Sequence, residues 1–243
     1  MKVGLLIRKE DLRVKIFADG ADLESMFTMY KQPFIHGLTT NPTLMNKAGI
    51  KNYKAFALDV LSVVKEKPVS FEVFSDDFDE MIFQANEIAS WGSNVNVKIP
   101  VTNSKGIETT EVIKLLSDSG IKLNVTAVIT TSQVQKIVSV LNNQTRAYIS
   151  IFAGRIADTG VDPIFTMQES LKIMKSIPKA ELIWASPREL LNVIQADNIG
   201  CHIITATTDI LKKLNLIGKD LTLYSLETVE MFKNDATKSG YTI

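Results

Sequence analysis

The amino-acid sequence places a lysine within a β-type run that extends from Val95 to Ile99 and is followed by Pro100. Lys98 lies between Val97 and Ile99 in this run. Burying a charged lysine is costly, and a desolvated lysine favours its neutral amine, which can attack the carbonyl carbon of a substrate. A lysine near a strand end can equally extend to solvent or form a structural ion pair. The run therefore leaves two interpretations open, an imine-forming lysine and a structural one.

Other β-type runs carry candidate site residues on one face or at their carboxyl ends. Side chains alternate along a strand, so residues two apart, such as Asn124 and Thr126, share a face. Further residues in such positions are Asp19, Thr39, Asn41, Glu72, Ser150 and Phe152. The carboxylates of Asp19 and Glu72 can supply the proton donors and acceptors that imine chemistry requires. This combination favours the catalytic interpretation of Lys98.

Two arginines follow the sixth and seventh of these runs. The guanidinium fork matches the geometry of phosphate oxygens, so Arg155 and Arg188 are candidates to hold a phosphate group. A surface arginine in a salt bridge is the alternative interpretation for each. The 27 basic and 27 acidic residues cancel, so no global positive field is available for a nucleic-acid backbone. A phosphate must be held by a few local groups.

Eight β-type runs alternate with stretches of helical periodicity, and these elements must position the candidate residues. The predicted strands are Val14–Ala18, Phe34–Leu38, Val69–Val73, Val95–Ile99, Lys122–Val128, Ala147–Phe152, Glu181–Ala185 and His202–Ala206. The predicted helices are Tyr53–Lys65, Asp77–Ser90, Thr109–Ser117, Thr131–Leu141, Ile164–Ile177, Pro187–Asp197 and Thr208–Leu214. The pattern predicts an α/β protein, a (β/α)8 TIM barrel with its site at the carboxyl ends of the strands. A doubly wound open sheet is the alternative, although no strand precedes a glycine-rich dinucleotide-binding sequence.

No linker divides the chain, so we expect one barrel domain over residues 15–243 and an N-terminal extension over residues 1–14. A further helix is predicted over residues 220–238, and a barrel does not require it. Its apolar stripe must be buried somewhere. The helix either packs on the outside of the barrel or docks on a neighbouring subunit.

The composition argues against several classes of protein. One cysteine, Cys201, and two histidines, His36 and His202, are too few for a typical zinc or histidine metal centre. We therefore expect no metal and no cofactor. No run of about 18 apolar residues is present, and the first residues do not resemble a secretory signal. We expect a soluble, cytoplasmic protein that binds neither membranes nor nucleic acid.

Five motifs in combination resemble the transaldolase family, particularly the short branch that includes fructose-6-phosphate aldolase. The motifs are Phe17-Ala18-Asp19, Gly37-Leu38-Thr39-Thr40-Asn41-Pro42-Thr43, Val97-Lys98-Ile99-Pro100-Val101-Thr102, Asn124-Val125-Thr126-Ala127 and Gly154-Arg155-Ile156. The resemblance implies a class I aldolase barrel. It implies that Lys98 is the Schiff-base lysine, that Asp19 is the acid/base residue, and that Thr126 holds a catalytic water with Glu72.

The resemblance also implies how a sugar phosphate is bound. Asn41, Asn124 and Ser150 fall on residues that bind a dihydroxyacetone unit, and Arg155 falls on a phosphate-binding arginine. Ser186 and Arg188 match a second phosphate-binding element, in which Pro187 replaces the usual intervening residue.

Two positions bear on which reaction the resemblance implies. Fructose-6-phosphate aldolases have a glutamine at the position of Glu72 and a tyrosine near Phe152, whereas transaldolases have glutamate and phenylalanine there. A carboxylate can accept a proton and an amide cannot. This favours a transaldolase, which converts sedoheptulose 7-phosphate and glyceraldehyde 3-phosphate to erythrose 4-phosphate and fructose 6-phosphate in the pentose phosphate pathway.

Two alternatives to transaldolase stay open. One is an aldolase that releases free dihydroxyacetone, and the other is a catalytically silent sugar-phosphate-binding protein. Short members of the family form rings with the terminal helix on a neighbouring subunit, so we expect a homo-oligomer, a pentamer or a decamer.

Overall fold

The computed structural model describes residues 8–242, and its centre is a closed barrel of eight parallel strands. Each strand pairs with the next along the chain, and β8 closes the barrel against β1. The strands are β1 (Lys15–Asp19), β2 (Ile35–Thr39), β3 (Val69–Glu72), β4 (Val95–Pro100), β5 (Leu123–Val128), β6 (Ala147–Ile151), β7 (Ala180–Trp184) and β8 (Ile203–Thr207). All eight lie within one residue of their predicted bounds. The predicted (β/α)8 barrel is confirmed.

Helices connect the strands and surround the barrel. In the described part of the chain they are α1 (Leu23–Tyr30), α2 (Pro42–Lys47), α3 (Tyr53–Val63), α4 (Phe78–Ser90), α5 (Thr110–Asp118), α6 (Thr131–Val140), α7 (Ala153–Asp158), α8 (Ile164–Ile173), α9 (Leu191–Asn198), α10 (Thr208–Lys212) and α11 (Leu221–Ser239). Asn41, Asp77 and Thr130 cap their helices by accepting a backbone N–H bond from the third helical residue.

The structure corrects two of the predicted helices. The helix predicted to begin at Pro187 begins at Leu191. Ser186 has a φ of 61°, and the Arg188 N–H donates to the Asn192 side chain at 2.7 Å, so this segment is a loop. The helix predicted over Ile164–Ile177 ends at Ile173 and continues as a 3₁₀ turn.

The interior of the barrel is closed below the carboxyl ends of the strands by an aromatic side chain. Phe17 is buried and packs with Ile183, Ala185 and Ile203. A Cβ atom at Gly37 would lie 2.6 Å from the Phe17 ring, closer than packed carbon atoms approach. The absence of a side chain at Gly37 therefore leaves room for the Phe17 ring. The ring fills the barrel interior at this level, so the barrel is not open through its length.

The two ends of the chain extend beyond the barrel. The expected extension over residues 1–14 lies partly outside the described residues, and from Arg8 it includes a short 3₁₀ turn, Lys9–Asp11. The Val14 N–H then donates to Asp197 at 2.9 Å. At the other end, α11 confirms the predicted additional helix but buries none of its residues in the described structure. In a single chain, α11 therefore does not pack on the outside of the barrel. Over residues 8–242, no helix has the length and apolar character needed to cross a membrane.

Candidate active site

A cavity of about 520 Å³ opens at the carboxyl ends of the barrel strands. All twelve residues that the sequence predicts for the site line it: Asp19, Thr39, Asn41, Glu72, Lys98, Asn124, Thr126, Ser150, Phe152, Arg155, Ser186 and Arg188. They come from the strands, from the loops that follow the strands and, for Arg155, from α7. They meet because parallel strands present their carboxyl ends at one mouth.

Lys98 and Glu72 lie side by side in this cavity. The register of β3 against β4 pairs the two residues directly, which places Lys98 Nζ 3.0 Å from Glu72 Oε2. The amine also donates to the Thr40 carbonyl at 2.5 Å. Both residues are buried, at 9% and 5% exposure. The lysine therefore points inward rather than to solvent, although it is paired with a carboxylate.

The Glu72 carboxylate is enclosed and lacks hydrogen-bond donors among the described residues. Neither of its oxygens has a hydrogen-bond donor within residues 8–242, because the nearby Lys98 amine makes a close ion pair without hydrogen-bond geometry. Burial raises the pKa of Glu72 to about 7, against the opposing influence of Lys98. A carboxyl group in this state can exchange a proton near neutral pH.

Asp19 lies half-buried at the end of β1, with a hydrogen bond to each of its carboxylate oxygens. The Thr39 hydroxyl donates to Oδ1 at 2.7 Å, and the Asn41 amide donates to Oδ2 at 3.1 Å. Burial raises the pKa of Asp19, while the Lys98 charge and these two bonds oppose the shift. The carboxylate is thus held in one orientation and is a stronger base than an exposed aspartate.

Thr205 extends this arrangement and was not among the predicted residues. Its hydroxyl lies 2.6 Å from the Thr39 hydroxyl. The single hydroxyl proton of Thr39 is used on Asp19, so Thr205 must be the donor to Thr39. Thr205 and Thr207 alternate along β8 and both line the cavity. Strand alternation, the signal used for the other strands, could have found them.

A second set of bonds connects side chains of β6, β5 and β3 inside the barrel. The Ser150 hydroxyl donates to Asn124 Oδ1 at 2.7 Å, and Asn124 Nδ2 donates to the Ser70 hydroxyl at 3.0 Å. The adjacent Thr126 precedes Ala127, whose φ is 60° at an irregularity in the β5–β6 pairing. Bulges of this kind redirect side chains near functional sites.

The mouth of the cavity carries the two predicted arginines in different environments. Arg155 lies with its guanidinium carbon 5.8 Å from the centre of the Phe152 ring. Arg188 Nε donates to Asp158 Oδ1 at 2.9 Å, and this bond raises the pKa of Arg188. The salt-bridge interpretation thus applies to Arg188 in this state, and Asp158 was not predicted because it lies on α7, which the sequence analysis missed.

The histidines and the cysteine are located away from this cavity. His202 Nδ1 accepts a backbone N–H from Leu182 at 3.0 Å, and burial lowers the pKa of His202. Cys201 is buried, which raises the pKa of its thiol to about 12. Within residues 8–242, no group of three or more His, Cys, Asp or Glu side chains is arranged to hold a metal ion.

The fold and the cavity define a class of protein, a (β/α)8 barrel with a lysine buried against a carboxylate at its mouth. The overall fold is similar to a solved structure described as a putative lyase/mutase from Burkholderia cenocepacia J2315, with a TM-score of 0.57 and 10% identity over 94% of this chain and 85% of that one. The family described as transaldolase/fructose-6-phosphate aldolase matches residues 16–243. The chain belongs to this family.

Curated relatives agree with the family assignment. A protein named probable transaldolase from Dehalococcoides mccartyi is 34% identical over 202 residues, which cover 83% of this chain and 90% of the relative. A probable transaldolase from Thermoanaerobacter sp. is 32% identical over 95% of this chain and the whole of the relative. A third, from Nitrosopumilus maritimus, is 34% identical over 83% of this chain and 87% of the relative.

Proposed function

We propose that this protein is a transaldolase, which transfers a dihydroxyacetone unit between sugar phosphates through a Schiff base on Lys98. The observation that carries the proposal is the buried Lys98 amine 3.0 Å from the Glu72 carboxylate. An enclosed amine with an adjacent proton acceptor can become a neutral nucleophile without a metal ion. The family and the names of the relatives support the same class of reaction.

Imine formation is the first step. Lys98 transfers a proton to Glu72, and the free amine attacks the C2 carbonyl of a ketose phosphate. The resulting alcohol leaves as water after it is protonated, and Glu72 supplies that proton through a water held with Thr126. The pKa of Glu72, raised to about 7 by burial, suits a group that must both accept and return a proton.

Cleavage of the carbon–carbon bond follows from the position of Asp19. Asp19 accepts the proton of the C4 hydroxyl, the C3–C4 bond breaks, and its electron pair moves into the imine to form an enamine. An aldose phosphate leaves, and the same steps in reverse join the enamine carbon to a new aldehyde acceptor. Asn41, Asn124, Ser150 and Thr39 hold the hydroxyl groups of the retained unit.

The phosphate is held at the mouth of the cavity. Arg155, Ser186 and Arg188 line this part of the cavity. The guanidinium group of Arg188 donates a hydrogen bond to Asp158. A phosphate can share the Arg188 fork because guanidinium has five N–H donors. The substrates of this proposal are sedoheptulose 7-phosphate and fructose 6-phosphate as donors, with glyceraldehyde 3-phosphate and erythrose 4-phosphate as acceptors, in the pentose phosphate pathway of the cytoplasm.

Transaldolase is favoured over a fructose-6-phosphate aldolase by two residues at the cavity wall. Glu72 is a carboxylate rather than an amide, and Phe152 has no hydroxyl group with which to hold an additional water. A silent sugar-phosphate-binding protein is disfavoured, because a protein that only binds sugar phosphates needs no lysine buried against a carboxylate.

We also propose that the protein is a homo-oligomer, a pentamer or a decamer. The support is α11, whose apolar side chains are exposed on a single chain. A second copy of the chain is always available as a partner to cover these side chains.

The experiment that tests the Schiff base is borohydride reduction in the presence of fructose 6-phosphate. We expect a covalent adduct that peptide mass spectrometry locates to Lys98. Lys98→Met should give no adduct, while Lys105→Met, which removes an exposed lysine, should give the adduct of the unchanged protein. An adduct that persists in Lys98→Met would contradict the proposal.

A further inference from the structure

β3, which carries Glu72, lacks a strand neighbour for this residue on its β2 side. β3 pairs with β2 only at Leu38↔Val69 and Thr39↔Ser70. Beyond Thr40 the chain turns away into α2. The backbone groups of Ser70 face β2, and strand alternation directs those of Glu72 to the same side. The barrel ladder therefore stops one residue short of the Glu72 backbone on that side.

A tyrosine from α3 occupies the position where the next strand residue would be. The Glu72 N–H donates to the Tyr53 hydroxyl at 2.8 Å, and the Tyr53 hydroxyl donates to the Glu72 carbonyl at 3.1 Å. The Tyr53 hydroxyl thus accepts one hydrogen bond and donates another, as the backbone of a neighbouring strand does. Burial raises the pKa of Tyr53, so the hydroxyl keeps the proton that the second bond requires.

The Tyr53 ring is held on several sides. Its centre lies 4.6 Å from that of Phe74, 5.7 Å from that of Trp91 and 6.2 Å from that of Phe71, each in an edge-to-face arrangement. Tyr53 is also the first residue of α3, which Asn52 caps through a bond from the Ala55 N–H. The hydroxyl group therefore has a defined location relative to the barrel.

We propose that Tyr53 is a positioning residue whose hydroxyl replaces a missing strand neighbour and so holds the Glu72 carboxylate against the Lys98 amine. This inference rests on the proposed Schiff-base function. Val73 is bonded to β4 through the Lys98 carbonyl at 3.1 Å, so the backbone around Glu72 is held by β4 on one side and by Tyr53 on the other. Loss of the phenol affects proton transfer at Glu72 and leaves the phosphate contacts in place.

The test compares Tyr53→Phe with the unchanged protein in single-turnover imine formation. Fructose 6-phosphate is mixed with excess protein and the imine is trapped with borohydride at timed intervals. We expect Tyr53→Phe to slow imine formation about tenfold, which corresponds to ~1.4 kcal/mol of barrier, with KM changed less than about twofold. Tyr148→Phe is the matched control. It removes the same hydroxyl group from a barrel tyrosine packed edge-to-face on Phe17, and the rate should be unchanged.

A double-mutant cycle separates positioning of Glu72 from a general structural role. In a Glu72→Gln background, we expect Tyr53→Phe to change the rate of imine formation by less than about twofold, because the amide at position 72 can neither accept nor return a proton. A tenfold loss in both backgrounds would overturn the proposal. Phe74→Ala is a gentler second variant, because Phe74 is exposed yet makes the closest ring contact to Tyr53. It should slow the imine step by a smaller factor.

The outcomes distinguish this inference from the proposed function. If the unchanged protein gives no adduct, the Schiff-base function fails and the role of Tyr53 fails with it. If the unchanged protein forms the adduct and both Tyr53→Phe and Phe74→Ala form it at the same rate, the function stands and only the positioning role is overturned.

Discussion

At the scale of single residues, the proposed chemistry depends on a lysine and a carboxylate that share a buried space. Their positions follow from strand register, since Glu72 and Lys98 pair across β3 and β4. Burial raises the pKa of Glu72, so its carboxylate accepts a proton more readily than that of an exposed glutamate. An exposed lysine–glutamate pair would not provide this.

The first prediction concerns the pH dependence of the reaction. Burial raises the pKa of Glu72 to about 7, and the ionised form is the one that accepts a proton from Lys98. We therefore expect kcat to increase with pH through about 7 in the unchanged protein. Glu72→Gln should lower kcat by about a hundredfold and should lack this increase, because an amide does not titrate.

The measurement is kcat for dihydroxyacetone transfer across neutral pH, in both proteins. Asp158→Asn is a useful comparison, since it also removes a carboxylate at the cavity mouth but one whose pKa is lowered by Arg188. It should keep the increase in kcat through about pH 7. The same increase in Glu72→Gln would show that another group is responsible.

The sequence predicted the members of the site better than the contacts among them. Alternation along strands, together with position just after strand ends, predicted twelve residues that line one cavity, because a closed parallel barrel presents these ends at one mouth. The bond from Thr205 to Thr39 and the pairing of Arg188 with Asp158 depend on side-chain geometry. Spacing in the sequence carries no information on such geometry.

At the scale of elements, the end of the cavity that we propose for the phosphate depends on a close approach between α7 and the loop after β7. A Cβ atom at Gly154 would lie 1.5 Å from the Ser186 carbonyl oxygen. Ser186 itself has a φ of 61°, a conformation that is costly for a residue with a side chain. The packing of Gly154 therefore supports the loop that presents Ser186 and Arg188.

The second prediction is that Gly154→Ala displaces this loop. Overpacking of this kind costs about 2 kcal/mol, so we expect the Tm to fall by roughly 5 °C and KM for fructose 6-phosphate to increase. Gly20→Ala is the matched control for stability, because its Cβ would lie 3.7 Å from the nearest atom, Met26 Cγ. An unchanged Tm in Gly154→Ala would mean that the loop moves aside freely.

The strands were more predictable than the helices for a physical reason. A strand in this barrel is a short apolar run between turns, and all eight were found within one residue. Three helices, α1, α2 and α7, were not predicted, and each has eight residues or fewer. The hydrophobic periodicity of a helix can be recognised in a sequence only over more than about two turns. For α2 a signal was present, since Asn41 precedes a proline at the first helical position.

At the scale of the whole molecule, α11 has apolar side chains that a single chain leaves exposed. Leu226, Val229 and Phe232 are 54%, 61% and 63% exposed and lie on one side of the helix. Apolar surface of this extent marks an interaction site. A second copy of the chain is the partner that we propose.

The third prediction is that this stripe holds the oligomer together. The unchanged protein should sediment as a pentamer or decamer, and the double variant Leu226→Glu with Phe232→Glu should sediment as a smaller species, because two charges would be buried unpaired in the contact. Lys233→Glu changes charge at an exposed neighbour on the same helix and should leave the oligomer intact. A double variant of unchanged size would place the contact elsewhere.

The central claim is that a dihydroxyacetone unit stays on Lys98 until an aldehyde acceptor arrives. The measurement that tests it most directly is release of glyceraldehyde 3-phosphate from fructose 6-phosphate alone, followed by addition of erythrose 4-phosphate. We predict release of about one equivalent per active site, then a halt, then renewed turnover when the acceptor is added. Steady release without acceptor, accompanied by free dihydroxyacetone, would contradict the claim and identify an aldolase.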